Sequence, residues 1–168
     1  MNIELYTDNL VIKKPSKDDL NSLIKELNNW SISKWLVNVP YPYTINDAKL
    51  WLKKTQEDNY SFNIFLKNKL IGGISITNKK NTTKPELGYW IGEDFWGKGY
   101  AHESCINLKH YFFSNTSHNI IYASHMKGNI KSKKILMNIG FKFVRTGQIF
   151  SISRNEIVDN LDYELIKS

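Results

Sequence analysis

Two glycines, spaced by one residue in Trp96-Gly97-Lys98-Gly99-Tyr100-Ala101, stand between a strand-like run and an amphipathic helical run. Glycine there lets the backbone approach a ligand closely, and the first amides of a helix have no intrahelical partner. Together they make an anion nest at the positive end of a helix dipole, and a diphosphate is its natural guest. A Walker loop needs Ser or Thr after the lysine, but Gly99 follows Lys98. A dinucleotide fingerprint needs a third glycine where His102 stands. From the glycine pair alone, a tight turn that binds nothing reads equally well.

The elements that must position this turn are legible from periodicity. Residues 86–91 read as a strand entering it, and a helix to about Phe113 leaves it with Ala101, Cys105, Leu108 and Phe112 inward. Upstream, residues 61–67 and 70–77 are strand-like and read as a hairpin around Asn68-Lys69. Downstream, 120–124 is a strand. Asn129 opens a short helix with Ile135, Leu136 and Ile139 inward, and Gly140 closes it. Residues 141–147, 149–154 and 157–166 supply the last strand material. The first third is helix-rich. After a short strand at 10–13, a helix starts at Ser16 and buries Leu20, Leu23, Ile24 and Leu27. A second is capped by Thr44 with Asp47 and carries an apolar stripe of Ile45, Ala48, Trp51 and Leu52. Between them, Pro40 and Pro42 forbid one continuous helix. The pattern is that of one α/β or α+β domain over 1–168, with an antiparallel middle.

Composition bounds the rest. A chain of 168 residues with 41% hydrophobic, 13% aromatic and 23% charged residues is globular and excludes a disordered or membrane-spanning class. No signal-peptide pattern opens it, and a single cysteine, Cys105, excludes an internal disulfide or a multi-thiolate zinc site. The expectation is a reduced, cytoplasmic protein without a metal. The charge of +7 attracts anions in general. Only Arg145 and Arg154 are arginine, and no recognition helix, zinc finger or RNA-binding aromatic motif is present, which disfavours nucleic acid. Cys105 reads as a buried thiol, not a nucleophile. His102, His110, His118 and His125 have no metal-ligand spacing. Trp30, Trp35, Tyr41 and Tyr43 read either as core or as the lining of a pocket. Lys131, Lys133 and Lys134 read as a solvated face or as phosphate partners.

The run Glu86-Leu87-Gly88-Tyr89-Trp90-Ile91-Gly92, the glycine turn, and Asn129-x-x-Ser132-x-Lys134 with Gly140-Phe141 resemble the GNAT superfamily of acyl-CoA-dependent N-acetyltransferases. The branch resembled is the ribosomal-protein N-terminal acetyltransferase-like one. The Pro42-Tyr43-Thr44 and Asp47-Ala48 cluster and the late Val158-Asp159 and Tyr163 extend the likeness over the whole chain. The resemblance implies a mixed, mostly antiparallel sheet of six to seven strands flanked by helices, with strands parting near Trp90 and Tyr122. It implies acetyl-CoA as cosubstrate, its pyrophosphate held by backbone amides of Trp96, Gly97, Lys98, Gly99, Tyr100 and Ala101. Trp96 replaces the family's usual Gln or Arg. Trp90 and Ile91 would pair with the pantetheine arm, Asn129 would bond the cofactor or a neighbouring strand, and Lys134 would lie near the phosphates.

Many members place a tyrosine acid where Leu136 stands here, so Ser132 is the nearest hydroxyl candidate. The acceptor amine must lose a proton before attack, and an α-amine near about 7.7–8.0 loses it more readily than a lysine near about 10.4. Glu86 is the first candidate base; it reads otherwise as a strand carboxylate paired with a lysine. Glu103 is the second, and reads otherwise as a helix-dipole partner. With no credible nucleophile, transfer is expected to be direct, in a ternary complex. The expected acceptor is a protein N-terminus, with a polyamine, aminoglycoside or other small amine as the alternative. A CoA-binding protein that transfers nothing is a further one. The expected state is monomer or homodimer, with no membrane partner.

Overall fold

The computed structural model describes residues 3–79 and 81–167. Its spine is an eight-stranded sheet in the order β1-β2-β3-β4-β5-β6-β8-β7. The strands are β1 (Glu4–Tyr6), β2 (Val11–Lys13), β3 (Ser61–Leu66), β4 (Lys69–Asn78), β5 (Pro85–Ile91), β6 (Ile120–Met126), β7 (Lys142–Ser151) and β8 (Glu156–Ile166). Neighbours are antiparallel except β5 and β6, which run parallel through a helical crossover. The mixed, mostly antiparallel sheet is as expected, with eight strands in place of six or seven. Three-residue β1 is too short to show a period. Residues 141–147 and 149–154 do not form separate strands, because Gly147 and Gln148 stay paired with Asn160 and Asp159 and carry β7 on to Ser151.

The hairpin between β3 and β4 turns at Lys67 and Asn68, one residue earlier than expected. Both have positive φ, 46° and 66°, as a type I′ connection requires. The helices are α1 (Leu20–Leu27), α2 (Trp30–Ser33), α3 (Ile45–Glu57), α4 (Tyr100–Asn115) and α5 (Ile130–Ile139), with a 3-10 turn at Lys17–Asp19. Asn29 caps α2 inside the proline-rich stretch by accepting from the Ser31 amide. Thr44 and Asp47 close the expected capping box at the start of α3. Ile45 was expected on the buried stripe of α3 but is 42% exposed; Ala48, expected on the same stripe, is fully buried.

Helices α4 and α5 cover one face of the sheet. Cys105, Leu108 and Phe112 of α4 and Leu136 and Ile139 of α5 meet Phe62, Ile64, Ile71, Leu87 and Ile121 there. On the other face Leu23, Leu27, Ile32, Tyr43 and Ala48 close over Phe65, Leu70 and Trp90. Each layer is hydrophobic toward the sheet only, which is how a mixed sheet is covered on both sides.

One irregularity positions the site. Strands β5 and β6 pair only at Glu86–Tyr122 and Leu87–Ala123. Beyond these pairs β5 continues to Ile91 and β6 to Met126 without a ladder between them. The sheet is split there, as expected at Trp90; Tyr122 itself is still paired, so the opening begins one step later than expected, beyond Ala123.

Candidate active site

The split is a gap walled by backbone. Gly92 donates its amide to the Ile71 carbonyl. By ladder alternation, Trp90 then turns its own amide and carbonyl toward β4, while Tyr89 and Ile91 turn theirs toward the gap. Of the expected pair, Ile91 has its backbone aimed at an added strand and Trp90 does not. The Trp90 side chain lies on the helical-layer face, over Gly73, where a β-carbon would come within 2.7 Å of the indole nitrogen. Trp96 explains its own departure from Gln or Arg. Its indole N–H donates to the Ile91 carbonyl at 2.7 Å, pinning the glycine turn to the end of β5. That carbonyl is thereby occupied, and the Ile91 N–H is left facing the gap.

At the turn, Gly97 and Gly99 have φ of 74° and 83°, and an added β-carbon at either would meet nothing within 4 Å. The glycines are required by the left-handed backbone and leave an open cradle. The first amide of α4 to find a carbonyl behind it is that of Glu103, which bonds Gly99. The amides of Tyr100, Ala101 and His102 precede it and form the nest. Lys98 folds back, donating to the Asp94 carbonyl at 2.9 Å. Lys131 sits 4.0 Å above the Trp96 ring. The cradle and the open strand edge suit a phosphate-bearing, strand-like ligand, so the residues present fit an acyl-CoA.

Across the gap stands the N-terminus of α5. Asn129 caps it, its side-chain oxygen accepting from the Ser132 amide at 3.2 Å. Its acceptor is thus used within the helix start. Lys134 is exposed on α5. The Ser132 hydroxyl lies 2.9 Å from the hydroxyl of Tyr89. Burial pushes the Tyr89 phenol well above its ordinary pKa; the neighbouring Cys105 adds to this and the Ser132 bond works against it. Leu136, where a tyrosine was sought, is 1% exposed in the core.

On the opposite face, Glu86 accepts from the Ser124 hydroxyl at 3.0 Å and pairs with Lys79 at 3.7 Å. Asp162 lies across from Ser124 in the β6–β8 ladder and is held by Arg145 at 2.9 Å. A cavity of about 130 Å³ abuts the β5 segment beyond Leu87. Gly73, Gly88 and Trp90 wall it from the sheet, and Leu27, Tyr43 and Trp51 from the helical layer. Burial, with the charge of Asp47 second, raises the Tyr43 phenol to about 12.

One expected candidate, Glu103, lies elsewhere. Glu103 accepts from the backbone and side chain of Asn9 at 3.0 and 3.1 Å. Burial opposes its ionisation, but hydrogen bonds from Thr7 and Asn9 outweigh it and hold the carboxyl below its ordinary pKa. It ties α4 to the turn between β1 and β2. Cys105 is fully buried, and burial pushes its thiol far above the usual range, as an inert core cysteine requires. Tyr89 and Ser124 were given no role from sequence. Each lies one strand alternation from a named residue, but only the fold shows that one faces Ser132 and the other Glu86.

A model of the acetyltransferase (GNAT) domain matches residues 9–142. The chain is 25% identical to the uncharacterized N-acetyltransferase p20 of Bacillus licheniformis, covering 97% of this chain and 96% of that protein. In fold it is similar to RimL, the ribosomal L7/L12 alpha-N-protein acetyltransferase in complex with coenzyme A, at 15% identity and a TM-score of 0.82 over 98% of both chains. It is equally similar to a GNAT-family acetyltransferase from Bacillus anthracis, at 19% identity and a TM-score of 0.83 over 98% of both. A split β5–β6 edge above a glycine nest, joined to a family match over most of the length, makes this chain a member of the GNAT acetyltransferase family.

Proposed function

We propose that the protein moves an acetyl group from acetyl-CoA to the α-amine of a protein N-terminus by direct attack in a ternary complex. Acetyl-CoA, when bound, supplies a thioester carbonyl activated for attack by an amine. The amides of Tyr100, Ala101 and His102 hold its diphosphate in the Gly97–Gly99 cradle, and the Ile91 N–H holds its pantetheine arm. Lys134 and Lys131 stand on α5 as further partners for phosphate. Glu86 receives the amine proton, directly or through water; its bonds to Ser124 and Lys79 orient it. Ser132 faces the departing sulfur from the other wall of the split. A protein N-terminus is the acceptor named for RimL, the ribosomal L7/L12 alpha-N-protein acetyltransferase whose fold this chain resembles.

The observation that carries the reading is the cavity beside the split. No carboxylate lines it among the described residues, and its volume of about 130 Å³ suits a small, uncharged side chain next to the reacting amine. A polyamine would need unpaired negative charge. The two strand carboxylates that flank Ser124, Glu86 and Asp162, each have a cation within 4 Å already. The test is release of CoA thiol with an alanine-headed peptide, spermidine and an aminoglycoside as competing acceptors. Faster turnover with spermidine or the aminoglycoside would overturn the N-terminal assignment. Failure of acetyl-CoA to bind in a calorimeter would overturn the whole reading.

A further inference from the structure

The bond between Tyr89 and Ser132 joins β5 to α5 across the split, where no strand ladder connects the two walls. Leu136 leaves no hydroxyl at the position where a tyrosine was expected, so Ser132 is the hydroxyl at the start of α5 that faces the gap. A serine hydroxyl is a rotor with one hydrogen, and its useful direction depends on what its oxygen accepts. The Ser132 amide is already spent on Asn129. Its hydroxyl oxygen has one partner within reach, the Tyr89 phenol.

We propose that Tyr89 is a positioning residue for acyl transfer: its phenol donates to the Ser132 oxygen and so aims the Ser132 hydrogen at the sulfur of the departing coenzyme. This rests on the acetyltransferase reading of the same site. In the transfer, the amine nitrogen bonds the carbonyl carbon and the C–S bond breaks, leaving its electron pair on sulfur. The amine proton goes to Glu86 or water. Tyr89 keeps its own proton, consistent with a phenol that burial holds neutral. Its contribution is a hydrogen bond that strengthens the next one, from Ser132 to the developing thiolate. The other titratable group against Tyr89 is Cys105 of α4, whose buried thiol is also neutral.

The test reads the pKa of the bound CoA thiol, which needs no acceptor. Thiolate absorbance is titrated as a difference between the CoA complex and the free protein, so that Cys105 and the tyrosines cancel. Wild type is expected to hold the thiol below the value of free CoA titrated in parallel. Y89F and S132A should each raise it by about one pH unit, the double variant should go no further than S132A, and S132T should restore it. With an alanine-headed peptide, Y89F should lower kcat about tenfold and leave KM for acetyl-CoA unchanged. A bound thiol that titrates alike in Y89F and wild type would overturn the role of Tyr89 while the acetyltransferase reading stands. So would equal effects of Y89F with and without Ser132. Absence of CoA binding to wild type would overturn both.

Discussion

Gly99 shows how one residue separates a stability effect from a binding effect. Its φ of 83° penalises any L side chain by about 1–2 kcal/mol, yet no neighbour would be struck. G99A should therefore lower Tm modestly and weaken CoA binding little. G99D adds a negative charge at the mouth of the nest and should weaken CoA binding at least tenfold by calorimetry, with a Tm close to that of G99A. Equal affinities in the two variants would place the diphosphate elsewhere. The glycine pair was legible in the sequence because positive φ selects glycine by type. The role of Trp96 was not, since nothing in its neighbours' identities says that its indole would cap the Ile91 carbonyl.

Helix α3 carries the acceptor-side layer, and its start is built from one reciprocal pair. The Thr44 hydroxyl accepts from the Asp47 amide, and the Thr44 amide donates to the Asp47 carboxylate at 2.8 Å. Hydrogen bonds from the Thr44 side chain, then its backbone, hold the Asp47 carboxyl below its ordinary pKa against a small opposing effect of burial. A depressed carboxyl contributes stability above its unfolded pKa and loses it as pH falls through the folded value. T44A should therefore lower stability near neutral pH by about 0.5–2 kcal/mol. The difference between T44A and wild type should shrink as pH is lowered below the unfolded carboxylate range, measured by urea denaturation along a pH series. A difference that stays constant to the acid end would mean that Asp47 is not coupled to the cap. The box was readable because its spacing is local. The exposure of Ile45 was not, because the side of α3 that faces the sheet depends on how α1 and α2 pack beside it.

At the scale of the molecule, the two ends of the chain close the acceptor side together. The β7–β8 turn reaches the loop after α2: the Ile152 amide donates to the Val37 carbonyl at 2.9 Å, and the Arg154 Nε donates to the Lys34 carbonyl at 2.7 Å. The Arg154 guanidinium also lies 5.0 Å from the Trp35 ring centre. A charged hydrogen bond of this kind is worth about 1.5–3 kcal/mol. R154A should release the loop that carries Val39 and Tyr43 into the cavity wall. KM for the peptide acceptor is expected to rise several-fold while affinity for CoA stays as in wild type. A matching loss of CoA affinity would show that the clip supports the whole site and not the acceptor side alone.

By itself the sequence determined which segments alternate, which begin and end as helices, where the backbone must turn left-handed, and which family the turn belongs with. These follow from local chemistry: side-chain period, caps, and the steric freedom of glycine. Only the tertiary structure decided that β5 and β6 part after two paired residues, that Tyr89 meets Ser132 across 43 positions of chain, and that Glu86 is shared by Ser124 and Lys79. Those contacts depend on the relative placement of strands and helices far apart in sequence, which is set by packing the two layers against the sheet and is not encoded at either partner alone.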